Sequence, residues 1–127
     1  GDKQTMEKTI EISKKNNVSI GAHPSFKDPE NFGRKRLNLP PNEIKKLVID
    51  QINILSNIAN NKGMKVTHVK PHGALNNMAC ENYDLAKVIS EAIIQVNKEL
   101  IFLVPTGSQM EKAGKKLGMK IATEILC

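Results

Sequence analysis

The sequence predicts an α/β fold of parallel β/α units, and three observations carry that expectation. Apolar residues recur with helical spacing in two long stretches, at Ile44, Leu47, Val48, Ile52, Leu55, Ile58 and Ala59, and again at Leu85, Val88, Ile89, Ala92, Ile93 and Val96. Short β-branched or apolar runs, Val66–Val69 and Leu100–Val104, follow them after turn residues. The second run is continuously apolar, as in a strand buried on both faces. Helices and strands in alternation imply parallel strands with helical crossovers. With 127 residues the chain is about one domain long. A complete β/α barrel takes about 250 residues, so residues 1–127 are expected to hold a single incomplete barrel domain or a smaller open sheet.

Each element has its own justification. Residues 5–16 place Met6, Ile10 and Ile12 in a polar helix that stops at Asn16-Asn17. Val18–Ala22 is a short strand closed by His23-Pro24, and a loop rich in Pro, Gly, Asp and Asn runs to about Leu39. Pro40-Pro41 opens the next helix, since proline suits a first turn. Gly63 closes it as a left-handed cap. Val66–Lys70 is a strand broken by Pro71, and residues 72–77 read as a loop in which Asn76-Asn77 is turn chemistry. A helix over 84–97 and a strand over 100–104 follow. Ser108 or Thr106 caps a helix over 109–117, and the last strand is 119–125. The expectation is four helices and four strands.

Composition narrows the function. Hydrophobic residues make up 39% of the chain, which suffices for a core and argues against general disorder. There is no apolar run long enough to cross a membrane, and no secretory signal is visible. Cys80 and Cys127 make neither a disulfide framework nor a zinc cluster, which fits a reducing, cytoplasmic setting. With no Trp, one Tyr and three Phe, stacking platforms for single-stranded nucleic acid are not expected. Nineteen basic against thirteen acidic residues give a net charge of +6. The helix lysines lie on separate polar faces, so they read as solvation and no nucleic-acid partner is expected. Because it starts at a Gly already inside a helical pattern and ends inside a strand, the chain is expected to be a fragment.

The unusual residues fall where α/β proteins bind ligands, beyond the carboxyl ends of the strands. His23, Pro24 and Ser25 follow the first strand. His68, Lys70, His72 and Gly73 lie at or after the end of the second, Thr106, Gly107 and Ser108 follow the third, and Glu124 ends the fourth. All three histidines of the chain stand at strand ends. His68 and His72 are four apart, but Pro71 between them excludes a helical zinc pair. Along the strand His68 and Lys70 share a face. A metal centre needs three or four protein ligands, and His23, His68 and His72 supply them only if the fold gathers them. The Arg34-Lys35-Arg36 cluster is either a solvated loop or a clamp for carboxylate or phosphate. Histidine passes protons near neutrality and lysine stabilises an oxyanion or binds a carboxylate. No phosphate-cradling GxxxxGK[ST] or GxGxxG sequence is present. Spacing alone therefore leads to an α/β enzyme with a His/Lys site.

Three strings add a resemblance. Ile20-Gly-Ala-His-Pro-Ser-Phe26, Phe32-Gly33-Arg34 and His68-Val-Lys-Pro-His-Gly-Ala-Leu75 resemble the GAHPS(Y/F), GFGRR and HVKPHGALYN patterns of the LamB/YcsF family. Gly1-Asp2 with Met6 is similar to its GDPxxM segment. Gln51-Ile52 with Leu55, Gly107-Ser108 and Glu124-Ile125 are similar to its later stretches, so the likeness runs through the whole chain in order. Lys3, Lys35, Asn76 and Leu126 depart from the usual Pro, Arg, Tyr and Phe. Asn76 removes an aromatic hydroxyl beside the site.

The resemblance implies part of a (β/α) barrel similar to the glycoside hydrolase/deacetylase type. It also implies a component of the prokaryotic 5-oxoprolinase, its A subunit, which opens 5-oxo-L-proline to L-glutamate. ATP would be bound by partner subunits B and C, which activate the lactam. On this chain His23, Lys70, His72 and Glu124 become the candidate catalytic residues, and Ser25, Arg34, His68 and Gly73 the candidate substrate-binding ones. No metal ligand is assigned, and whether a metal is bound is left open. The family's acidic N-terminal segment would precede Gly1, so the chain alone is expected to be inactive. The alternative is a metal-dependent amide or sugar N-deacetylase on a related barrel using His23, His68 and His72.

Overall fold

In a computed structural model, residues 3–16, 18–26 and 39–125 are described. The elements in chain order are α1 (Lys3–Lys15), β1 (Ile20–Ala22), α2 (Pro41–Asn61), β2 (Val66–Val69), α3 (Gly73–Glu81), α4 (Tyr83–Val96), β3 (Ile101–Pro105), α5 (Gln109–Lys116) and β4 (Lys120–Glu124). The four strands form one parallel sheet in the order β1-β2-β3-β4. That order equals the chain order, with no reversal of direction. It is the order of a barrel wall, whereas doubly wound open sheets switch direction near their middle. Right-handed crossovers taken always in one direction place the helices on one side of the sheet. The parallel β/α architecture expected from the sequence is therefore present.

The core lies between this sheet and its helices. Val48, Ile52, Val69, Leu75, Ile89, Phe102, Val104 and Met110 are all fully buried within it. The long helices form as their stripes predict: α2 turns Ile44, Leu47, Val48, Ile52, Ile58 and Ala59 inward, and α4 turns Leu85, Ile89, Ala92 and Ile93 inward. Pro41 opens α2, and Gly63 follows it with a φ of 75°, the left-handed geometry expected of a closing glycine. Ser108 is the cap of α5, accepting from Glu111 N at 3.2 Å, while Gly107 N donates to Glu111 Oε1 at 2.8 Å.

Two expectations are corrected. Residues 73–81 are a helix, so the described residues hold five helices and not four. Ala74, Leu75 and Ala79 recur at helical spacing and are buried, which outweighs the turn propensity of Asn76-Asn77. The second correction concerns β3. Phe102 and Val104 are fully buried against the helices, but Ile101 on the other face is 37% exposed. Among the described residues the helices cover one face of the sheet, and on the other face β3 is open at Ile101, partly covered at Leu103 and buried only at Pro105.

Between β1 and β2 the register shifts: Ile20 is opposite Val66, but Gly21 is opposite His68. Thr67 is thus one extra residue, a β-bulge. Val66 and Val69, three apart, both reach the core. Strict alternation forbids that spacing, and the bulge permits it. Its consequence is functional, because it turns His68, and Lys70 after it, onto the helix-free face.

Candidate active site

Two backbone hydrogen bonds extend the β1–β2 pairing beyond the strands. Lys70 N donates to Ala22 O, and His72 N donates to Pro24 O, both at 2.8 Å. They lock the segment after β1 beside the segment after β2, and so bring His23 next to His72. The ring centroids are 6.4 Å apart with the planes tilted by 40°. His72 is also the residue before α3, in extended conformation, and Gly73 turns the chain into that helix with a φ of 63°. No side chain caps α3. The N–H groups of its first turn therefore open toward the end of the sheet that carries the histidines, where they favour negative charge.

Lys70 lies on the helix-free face. Its Nζ crosses above β3 to reach Glu124 of β4, 2.7 Å from Oε1, with both side chains about two-thirds buried. Glu124 Oε1 is itself buried and accepts no hydrogen bond among the described residues. The contact is thus a charge pairing off the hydrogen-bond direction, which leaves an acceptor lone pair unused. Glu124 is fixed through its backbone, since its carbonyl accepts from Thr106 N at 2.9 Å and from Thr106 Oγ1 at 3.2 Å.

His68 has a different setting. Its Nδ1 lies 2.9 Å from Thr67 Oγ1, and that hydroxyl donates to Ile20 O at 3.3 Å. A hydroxyl has one proton to give, so in the Nδ1–H tautomer the ring donates to Thr67 Oγ1, and in the other tautomer it accepts from it. The ring lies so closely over Gly21 that a Cβ there would collide with Nε2. Gly21→Ala is therefore expected to push His68 off its seat, at a cost of about 1–3 kcal/mol. A lowered melting temperature together with shifted His68 ring resonances would show it; unchanged resonances would sink the idea.

The electrostatics bind these groups into one cluster. The proton affinity of His23 is lowered below the usual imidazole range, first by partial burial of the ring and then by the charges of His72, Lys70 and His68; Glu124 opposes them. His23 accordingly holds a proton less readily than an ordinary imidazole, which favours its neutral form at pH 7. The lowering means that the unfolded chain binds this proton more readily. Its contribution to stability is complete above the ordinary imidazole value and is lost as pH falls through the folded-state value. Glu124→Gln, which removes the opposing charge, is expected to move the His23 titration further down. Proton NMR of the imidazole reads this directly, and an upward movement would contradict the arrangement.

Of the residues singled out in the sequence, the structure gathers His23, His68, Lys70, His72 and Glu124 at the carboxyl end of the sheet, with Gly73 shaping the turn. Ser25 lies beside them, and its backbone is held by Gln51 of α2, a residue whose part in the site the sequence does not reveal. Arg34, with Lys35 and Arg36, lies outside the described residues. Among those described, no three His, Cys, Asp or Glu side chains come together as a metal site would need; His23, His68 and His72 are close but do not converge as ligands. Cys80 is half-buried, and burial pushes its thiol upward, away from nucleophile chemistry.

A parallel β/α chain with a His/Lys/Glu cluster at its strand ends carries that cluster where β/α barrels build their active sites. The family model described as "LamB/YcsF family" matches residues 1–127, and the chain belongs to that family. It is 45% identical over 123 residues to the A subunit of 5-oxoprolinase from Clostridium beijerinckii, covering 97% of this chain and 48% of that protein. It is 44% identical over 126 residues to the A subunit from Nitrobacter hamburgensis, covering 98% and 49%. The crystal structure of a lactam utilization protein from Thermus thermophilus superposes with a TM-score of 0.95 at 32% identity, over 97% of this chain and 50% of that one. The chain thus spans about half the length of the curated relatives it matches. No helix among the described residues is long and apolar enough to cross a membrane.

Proposed function

We propose that this chain supplies part of the active site of the A subunit of a 5-oxoprolinase, hydrolysing the ring amide of 5-oxo-L-proline to give L-glutamate. The observation that carries the reading is the convergence of His23, Lys70, His72 and Glu124 at the strand ends. The names of relatives 40% or more identical support the substrate class.

The chemistry follows from the stability of a lactam. Attack on its carbonyl needs an activated electrophile, and ATP bound by the partner subunits B and C supplies it by phosphorylating the lactam oxygen. Water then adds to the ring carbon, giving up a proton to His23, which is neutral and so competent as a base. The ring C–N bond breaks and its nitrogen takes a proton from the His72 side, leaving an acyl phosphate on the opened chain. A second water releases phosphate, and the amine and γ-carboxylate of glutamate result. Two waters are thus consumed for each ATP converted to ADP and phosphate. Lys70, with the first turn of α3, stabilises the oxyanion; Glu124 holds Lys70 in place. His68, Ser25, Gly73 and Arg34 are assigned to binding the substrate.

The test is a chimera in which this chain replaces the matching half of the Clostridium beijerinckii relative. Mixed with partner subunits B and C, ATP and 5-oxoproline, it is expected to release glutamate only when every component is present. A folded chimera that makes none, beside an active parent, would end this reading.

A further inference from the structure

The segment carrying His23 is held from both sides, and only one of those sides is backbone. Ala22 O and Pro24 O face the continuation of β2, where they accept from Lys70 N and His72 N. In extended chain successive residues turn their polar groups to opposite sides, so the N–H and C=O of Ser25 face away from β2. A neighbouring strand would normally take them. Here Gln51 does so: its Oε1 accepts from Ser25 N at 3.0 Å and its Nε2 donates to Ser25 O at 2.7 Å. The carboxamide thus stands in for one rung of a strand. Pro24 has no N–H, so Ser25 N is the first backbone donor after that of His23 itself. Gln51 stands midway along a helix of 21 residues, between Val48 and Ile52, both fully buried, so its own position is rigid.

We infer that Gln51 is a positioning residue for the site, setting the place of His23 against His72 by clamping Ser25 two residues on. Its catalytic meaning rests on the role proposed for His23, but its test does not require turnover, so the two readings fail separately. The experiment is NMR on the 127-residue chain, following the Ser25 amide and the His23 imidazole, with a melting curve for each variant.

In Gln51→Leu the Ser25 amide is expected to exchange with solvent about 10-fold faster or more. The His23 titration should move up toward the ordinary imidazole range as the ring gains solvent and loosens away from its neighbours His72, Lys70 and His68 and from Glu124. Gln51→Glu covers the case in which the leucine variant does not fold. Its ionised carboxylate still accepts from Ser25 N but repels Ser25 O, while its protonated form restores both bonds. The Ser25 amide resonance is therefore displaced at neutral pH and returns toward the parent position at about pH 4. A helix residue with only a packing role would show no such recovery. Folded variants in which Ser25 exchange, Ser25 resonance and His23 titration all match the parent would overturn the inference.

Discussion

Lys70→Ala is expected to lower glutamate formation by the chimera by about 10²–10³-fold, the usual effect of deleting one oxyanion donor. Lys70 is the cation of the cluster on the helix-free face, and its Nζ is already held by Glu124. An ammonium fixed in advance needs no reorganisation when charge develops on the water-derived oxygen of the tetrahedral intermediate, and this is why the effect should fall on turnover. KM should change little, because the group interacts mainly with the transition state. Glu124→Gln should be milder, since it frees Lys70 without removing it. The double variant should lose less than the product of the two single losses, as expected for residues acting as a unit. Lys70→Ala with unaltered turnover in a folded chimera would remove Lys70 from the mechanism. A loss confined to KM would make it a substrate-binding group.

The sequence showed much of this site because of where its histidines stand. His23, His72 and Lys70 each adjoin a proline that ends an extended run, so their place at strand ends could be read without a structure. The helical stripes of α2 and α4 were equally plain, as their apolar residues recur over many turns. What stayed hidden depends on single residues or on long-range pairing. The bulge at Thr67 is one residue among β-branched neighbours and leaves no mark in the pattern. The short α3 carries Asn76-Asn77, and its packing residues are small alanines beside one leucine. Glu124 could be placed at a strand end, but not paired with Lys70, because the pairing crosses a whole strand. Gln51 was noted only for its family resemblance, and its part in the site was hidden for the same reason: a polar residue on a helix looks like solvated surface until its 26-residue reach to Ser25 is known.

Phe102→Ala and Ile101→Ala, neighbours in one apolar run, are expected to differ sharply. Phe102 is fully buried, and its ring lies against the helix side near Gly114, where a Cβ would come 3.4 Å from its Cδ2. Truncating it removes a large apolar surface and leaves a cavity, at a cost of about 3–5 kcal/mol. Against a total stability of about 5–15 kcal/mol, that is enough to threaten folding near body temperature. Ile101 is 37% exposed on the face that no helix covers, so its loss should cost about 1 kcal/mol or less. Denaturant unfolding of both variants reads the difference as a shift in midpoint at constant slope. The comparison bears on the site as well as on the core, because Lys70 spans the helix-free face of β3 to reach Glu124. A strand anchored by Phe102 and Val104 on one side is what lets a charged pair lie across the other. Equal costs for the two substitutions would mean that both faces of β3 are buried, and that the Lys70–Glu124 pair is enclosed and not open to substrate.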